Sequence, residues 1–389
     1  MSAAATGPLI GWVGLGRMGA PMAAHIGKKV GAARLRAFDV SEDARRAFGD
    51  KFASSSVLVD NVRALRDCSI VFLSVPTSVE VAQVAAQLYD VEGAPELQVI
   101  EKTQNLDCGT SSTSPSSTSS SPTLSSSEFS PKDVRSDEAE DHQKLLVDCS
   151  SGDFESTQRI GAFLESQCGV NLVDCPVSGG PRGAEAGTLA AMIGASEQTV
   201  YERLDSLCSA FAQTNRVYLG VRGAGHAVKS INNGMNSAKL VMATEGVAAL
   251  RSIGVSPATA LDSINKSSGR SLQSMVRWPE EVLTGRYDYG FRYGLMHKDL
   301  RQCVSLFGKV SPSFASVLPY VEKVFAQAEE KSGGKISDDD YTRICQFVLD
   351  KATTIDQANA MAKGEVGSSS SSSDVKNENL EICRAEMSL

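Results

Sequence analysis

The stretch GLGRMG, Gly14 to Gly19, restricts this chain more than any other. An apolar run, Leu9 to Val13, leads into it. A helical pattern follows from Ala20 to Val30, with Met22, Ile26 and Val30 on one face. Arg34 to Phe38 then reads as a second strand, and Asp39 stands twenty positions beyond Gly19. Strand, tight turn, helix, strand and acid at these distances form the fingerprint of a dinucleotide-binding βαβ unit. Gly14 permits the tight turn, Gly16 lets a pyrophosphate approach the backbone, and Gly19 lets the helix pack on the strand. The helix N-terminus offers free N–H groups to phosphate. Gly14, Leu15, Gly16, Arg17, Met18 and Gly19 are therefore the expected cofactor turn. Asp39 is the expected acceptor for the adenosine ribose hydroxyls. It would repel a 2′-phosphate, and Val40-Ser41-Glu42 supplies no arginine to hold one, so the sequence favours NAD over NADP.

Further α/β units follow. Ser41 to Phe48 reads as a helix. Ser69 to Val75 is a buried parallel strand by its continuous apolar run. It delivers Val75 and Pro76 to a strand's C-terminal end, where open sheets bind ligands. Val79 to Leu88 is helical again. From 104 to 142 the chain turns serine-rich and then acidic, with almost nothing to bury, and is expected to be a disordered insertion. Order resumes with strands at Lys144 to Cys149 and Val170 to Val177, and a helix from Thr157 to Cys168 between them. Ser178-Gly179-Gly180 ends the second strand. Consecutive backbone N–H groups in such a turn form an anion nest, suited with the serine hydroxyl to a small carboxylate. Ala190 to Ile193, a helix from Val200 to Phe211, and Arg216 to Leu219 complete this part.

The stretch from Gly223 to Met235, GAGHAVKSINNGM, places one lysine in a run of small residues. On a helix, Lys229 shares a face with Asn232 and Asn233, and with His226 one turn earlier. Helical spacing persists from Gly225 to Ile253. After it the pattern gives helices only: Pro257 to Asn265, Trp278 to Leu283, Leu295 to Phe307, Ser313 to Glu330 and Asp338 to Ala360. The expected fold is an α/β Rossmann-type N-terminal domain with a mostly parallel sheet, followed by an all-α C-terminal domain joined by a long helix. The expected boundaries are 8–222 for the NAD-binding domain and 223–360 for the helical one, with a disordered tail at 361–389.

Composition narrows the function classes. The chain has 389 residues, 42% of them hydrophobic, and a formal net charge of −8. With no basic cluster, this argues against a nucleic-acid partner. No apolar run reaches the ~18–20 residues that span a bilayer, so no membrane partner is expected. Nine cysteines lack C-x-x-C spacing and four histidines form no H-x-x-x-H pair, so neither a disulfide framework nor a metal site is expected. No presequence is visible before the first strand.

Four blocks together resemble the β-hydroxyacid dehydrogenase superfamily, and within it the 3-hydroxyisobutyrate dehydrogenase branch. They are GLGRMGAPMA from Gly14, DCPVSGGPRGAEAGTL from Asp174, GAGHAVKSINN from Gly223, and NKSSGRS from Asn265 with FRYGLMHKDL from Phe291. The resemblance implies roles position by position. Lys229 corresponds to the catalytic lysine and Asn233 to the asparagine that orients the substrate. Ser178, Gly179 and Gly180 correspond to the carboxylate-binding turn. Lys298 corresponds to a lysine near the nicotinamide. Val75, Pro76 and Glu80 correspond to cofactor contacts, and Ser151 to one usually filled by threonine. The branch is commonly mitochondrial and forms dimers or tetramers. A mitochondrial homodimer or homotetramer is therefore the expectation, with the cytoplasm as the alternative.

The implied reaction is NAD-dependent oxidation of 3-hydroxyisobutyrate to methylmalonate semialdehyde, a step of valine catabolism, with Lys229 as general acid and base. A free lysine is protonated at neutral pH, and burial with a second cation lowers its pKa. Lys298 is the candidate for that cation. The alternatives are another enzyme of the superfamily, such as 2-hydroxy-3-oxopropionate reductase, and a non-catalytic scaffold of the same fold. The sugar-phosphate branch has K-x-x-H-N, whereas Asn232 stands at its histidine here. Retention of both Lys229 and Lys298 weighs against a scaffold.

Overall fold

Runs of apolar residues without alternation become strands buried on both faces, and the first half of the chain is built from them. The computed structural model describes residues 8–52, 58–95, 97–98, 143–310 and 317–352. The expected insertion at 104–142 and tail at 361–389 lie outside the described residues. The chain divides into two compact units, Met1–His226 and Ala227–Leu389.

In the first unit, β1 (Ile10–Val13), β2 (Leu35–Phe38), β3 (Ile70–Leu73), β4 (Lys144–Asp148) and β5 (Val170–Asp174) form one sheet in the order β2-β1-β3-β4-β5. Every pairing is parallel. A single parallel bridge from Ala37 to Leu58 extends the sheet beyond β2. The connections run one way from β1 through β2 and the other way through β3 to β5. The switch point between β1 and β3 is where such a sheet binds ligands. The helices Gly19–Val30, Glu42–Phe52, Ser78–Tyr89 and Phe154–Cys168 connect the strands.

The expected strand from Val170 to Val177 is two strands. β5 stops at Asp174, and the chain restarts as β6 (Val177–Ser178) in a separate sheet with β7 (Ala190–Ile193) and β8 (Asn215–Tyr218). The reason lies in two residues. Asp174, whose neighbour Cys175 makes the last hydrogen bond to β4, exchanges backbone hydrogen bonds on its other edge with Gly194, and Pro176 has no N–H to continue a ladder. β6 and β7 are antiparallel, β7 and β8 parallel.

Trp12, on β1, is fully buried and anchors this unit. Its ring stacks on Phe72 of β3 at 5.3 Å, and Phe211 meets both rings edge-on at 6.4 Å. Its indole N–H donates to the carbonyl of Gly14 at 2.9 Å, so a core residue holds the glycine turn directly.

The second unit is helical, as expected from the spacing. The helix Ala224–Ser252 begins in the last residues of the first unit and runs on through the second. Pro257–Asn265, Tyr293–Val310 and Val317–Lys331 follow, and a last helix occupies 344–352. The expected helix Trp278 to Leu283 is part of a π-helix, Gln273–Leu283. Pro279 lies inside it and has no N–H to give to the tighter α ladder. Trp278 is buried there and donates to Thr244 Oγ1 at 3.1 Å. The seven cysteines among the described residues are free.

Trp12→Phe keeps the stacked ring and deletes the donor to Gly14. Leaving that carbonyl unpaired should cost about 1–3 kcal/mol, read as a lower urea midpoint. An unchanged midpoint would show that the turn does not depend on this bond.

Candidate functional site

The glycine turn shows two different reasons for its glycines. Gly14 has φ +94°, and a Cβ on it would lie 2.2 Å from the Ser74 carbonyl oxygen. A Cβ on Gly19 would lie 2.0 Å from the Gly14 carbonyl oxygen. Both are required by the chain's own backbone. At Gly16 a Cβ would meet nothing within 4 Å, and Gly16 and Arg17 are exposed. Space in front of Gly16 is what a bound pyrophosphate requires, so the turn fits a dinucleotide.

Asp39, at the end of β2, reaches this turn. Its Oδ2 accepts from the N–H of Leu15 at 2.6 Å and its Oδ1 from the N–H of Ser41 at 2.8 Å. Each oxygen keeps a lone pair for a ribose hydroxyl. Arg45 was not anticipated here. It lies one turn into the next helix and donates back to the carbonyls of Asp39 at 2.5 Å and Val40 at 3.4 Å.

At the end of β3, the Val75 N–H donates to Ser150 Oγ at 3.0 Å, and the Ser150 N–H to Asp148 Oδ1 at 2.9 Å. This ties the ends of β3 and β4 together and places Val75, Pro76 and Ser151 on the sheet edge that carries the glycine turn. Glu80 has a local task. Its Oε2 accepts from the Thr77 N–H at 2.8 Å, and Thr77 Oγ1 accepts from the Val79 N–H at 3.1 Å. That capping box accounts for an acid at this helix start without any cofactor.

Ser178 ends β6, and Gly179 and Gly180 follow with φ +134° and +65°. Ser178 and Gly180 are partly exposed and Gly179 is exposed, so the turn is open to a ligand. The short helix Gly180–Ala186 continues from it. His25 Nε2, on the helix behind the glycine turn, meets the carbonyls of Ala184 at 3.1 Å and Glu185 at 3.0 Å. The helix of the nucleotide turn and the helix of the serine-glycine turn are thereby linked, over a separation of 159 residues at the first contact. Asp174, fully buried, accepts from the N–H groups of Gly223 at 2.5 Å and His226 at 3.0 Å. It caps the start of the long helix from β5. His226, 1% exposed, has its Nδ1 at 2.7 Å from Thr157 Oγ1.

The second unit gathers a separate set. Lys229 and Asn233 lie one turn apart on the long helix, and Lys298 and Asp299 are neighbours on Tyr293–Val310. Gly234 lets these helices approach, since a Cβ there would lie 2.8 Å from Cys303 Sγ. Asp299, 1% exposed, pairs with Lys298 Nζ at 3.1 Å and accepts from Asn233 Nδ2 at 2.7 Å. Burial pushes the Lys229 ammonium below the ordinary lysine value; Asp299 opposes this and Lys298 adds to it. On the same helix His297 is bracketed by Glu329 at 2.7 Å and Glu322 at 3.0 Å. Two residues along a helix is about 200° around it, so locking His297 toward Val317–Lys331 turns Asp299 to the other side. Among the described residues no group of three His, Cys, Asp or Glu side chains stands where it could hold a metal ion. No described helix is long and apolar enough to cross a membrane.

A parallel sheet with a glycine turn at its switch point defines an NAD(P)-binding protein. Two family profiles match the chain. One, the NAD binding domain of 6-phosphogluconate dehydrogenase, covers residues 9–120 and 137–220. The other, the NAD-binding domain of NADP-dependent 3-hydroxyisobutyrate dehydrogenase, covers 223–348. The chain belongs to the 6-phosphogluconate dehydrogenase-like superfamily. It is 37% identical over 156 residues to 2-(hydroxymethyl)glutarate dehydrogenase of Eubacterium barkeri, covering 40% of this chain and 51% of that one. It is 30% identical over 205 residues to a probable mitochondrial 3-hydroxyisobutyrate dehydrogenase of Arabidopsis thaliana, covering 48% and 58%. These matches span little more than half the length of either relative. The solved structure of Mycobacterium tuberculosis 3-hydroxyisobutyrate dehydrogenase with L-serine shares the fold, with TM-score 0.66, 21% identity, and coverage of 88% of this chain and 99% of that one.

Gly16→Val should leave the stability of the ligand-free protein within about 0.5 kcal/mol, as at an open surface position. It should weaken NADH binding by roughly tenfold or more, a loss of about 1.4 kcal/mol or greater. Fluorescence titration with NADH and a thermal melt read the two effects. Unchanged binding would remove Gly16 from the cofactor site.

Proposed function

We propose that the chain oxidises a short acid bearing a primary alcohol β to its carboxylate, with NAD as the hydride acceptor. Our choice of substrate is 3-hydroxyisobutyrate, giving methylmalonate semialdehyde in valine catabolism. The observation that carries the reading is the pair Lys229 and Asn233, one turn apart, with burial pushing the lysine toward its neutral form. A neutral lysine can accept the hydroxyl proton as the carbinol carbon loses its hydride, and can return it in the reverse reaction. Asn233 supplies an uncharged contact to the hydroxyl oxygen. Ser178, Gly179 and Gly180 hold the substrate carboxylate through the hydroxyl and backbone N–H groups. Lys298 carries the second positive charge that favours neutral Lys229. When bound, NAD supplies the electron-accepting ring; Gly14, Leu15, Gly16, Arg17, Met18 and Gly19 hold its pyrophosphate, with Val75, Pro76 and Ser151 beside it.

NAD is preferred over NADP because Asp39 presents a carboxylate where a 2′-phosphate would sit, while Arg45 is turned to backbone carbonyls. A second reading, 2-(hydroxymethyl)glutarate as substrate, is favoured by the Eubacterium barkeri relative. That acid has the same primary alcohol β to a carboxylate and one further carboxylate. A homodimer or homotetramer in mitochondria, with the cytoplasm as the alternative compartment, completes the reading, supported by the family resemblance.

Lys229→Ala should lower NADH formation from 3-hydroxyisobutyrate by about 10²–10⁴-fold, the usual contribution of a positioned general base, with NADH affinity retained. The same assay with NADP should be slower. Near-normal turnover in the variant would overturn the role of Lys229, and faster reduction of NADP would overturn the cofactor preference.

A further inference from the structure

We infer that Asp299 is a positioning residue whose buried carboxylate fixes which end of the Asn233 amide faces the reacting hydroxyl and holds Lys298 and Lys229 in one charge cluster. The inference rests on the function proposed above.

An ionised carboxylate only accepts hydrogen bonds, and a side-chain amide has one accepting and one donating end. Asn233 Nδ2 lies 2.7 Å from Asp299 Oδ2, so the donating end must face Asp299. The inverted amide would set two acceptors against each other in a buried place, since Asn233 is 4% exposed and Asp299 1%. The accepting end is fixed too: Asn233 Oδ1 takes a hydrogen bond from Asn232 Nδ2 at 3.2 Å. One Nδ2–H is thereby given to Asp299, and the other is left to donate. Its acceptor is the substrate hydroxyl oxygen, the atom that gains negative charge as its proton leaves for Lys229. A donor already aimed at that oxygen favours the transition state over the ground state. The inverted amide would offer lone pairs to the same oxygen and oppose the reaction.

The second part is charge. Lys229 is faced by two charged groups, both on Tyr293–Val310: Asp299, which favours its ammonium, and Lys298, which opposes it. Asp299 also pairs with Lys298 at 3.1 Å. One carboxylate thus limits how far burial and Lys298 can drive Lys229 toward the amine.

The test uses the full chain. Lysine ε-carbons are labelled with ¹³C, and the Lys229 signal is assigned by its loss in Lys229→Arg. In Asp299→Asn the titration of Lys229 should move to lower pH. The acidic limb of kcat/KM for alcohol oxidation, which requires the neutral amine, should move the same way. In Asp299→Glu the charge is kept and the geometry is not. Lys229 should then titrate near its wild-type pH while kcat falls on the order of 10²-fold, the cost of a displaced contact. A purely structural role would lower the rate in both variants and leave the titration and the pH limb in place; that result overturns the inference. Should Asp299→Asn not fold, Lys298→Met must move the Lys229 titration to higher pH, and no movement overturns the charge cluster. If the wild-type protein oxidises none of the short β-hydroxy acids, the proposed function fails and Asp299 loses its part in turnover. The titrations alone still decide its hold on Lys229.

Discussion

The first helix crosses the end of β1 so closely that neither can carry a side chain at the contact, and the first unit is organised by that crossing. Gly19 lies so close to Gly14 that a methyl group on it would overlap the carbonyl oxygen, and Gly14 lies as close to Ser74 on the neighbouring strand. The carbonyl that the helix crosses is also the one held by Trp12. One backbone group therefore meets the core aromatic cluster, the first helix and the ligand-facing turn. Asp39 closes the turn from β2. What is left open is the space before Gly16, the only one of the three motif glycines that the protein's own atoms do not require.

The helical unit solves a different problem. Two half-buried lysines and one buried aspartate lie together, where a charge withdrawn from water has to be answered by another. Asp299 answers Lys298 directly and limits the shift of Lys229. Gly234 allows close approach of the helices, and His297 between Glu322 and Glu329 fixes the rotation of the helix that carries Lys298 and Asp299. The outcome is a half-buried lysine whose ammonium is held below the ordinary lysine value. That state is uncommon for a lysine and useful for proton transfer.

Much of this was legible in the sequence, for identifiable reasons. The glycine turn, its flanking strand and helix, and Asp39 depend on short-range spacing. Lys229 and Asn233 are one helical turn apart, so their common face follows from periodicity alone. Glu80, expected as a cofactor contact, has a local partner in the capping box with Thr77. Other features depend on pairs far apart in the chain. Asp299 meets Asn233 across 66 residues, and Asp174 meets Gly223 across 49. The change of sheets after Asp174 needed its pairing with Gly194, which no local pattern carries. The π-helix at Gln273–Leu283 has an apolar pattern that an α-helix would share, and only the missing N–H of Pro279 hints at the wider turn.

The proposed reaction is hydride transfer from a primary carbinol β to a carboxylate. It is tested most directly with 3-hydroxyisobutyrate carrying deuterium on its hydroxymethyl carbon, incubated with NAD, and mass spectrometry of the reduced cofactor. The reduced cofactor is expected to carry one deuterium from the substrate, with the semialdehyde as co-product. Reduced cofactor without deuterium, or no reduction with any short acid of this class, would contradict it.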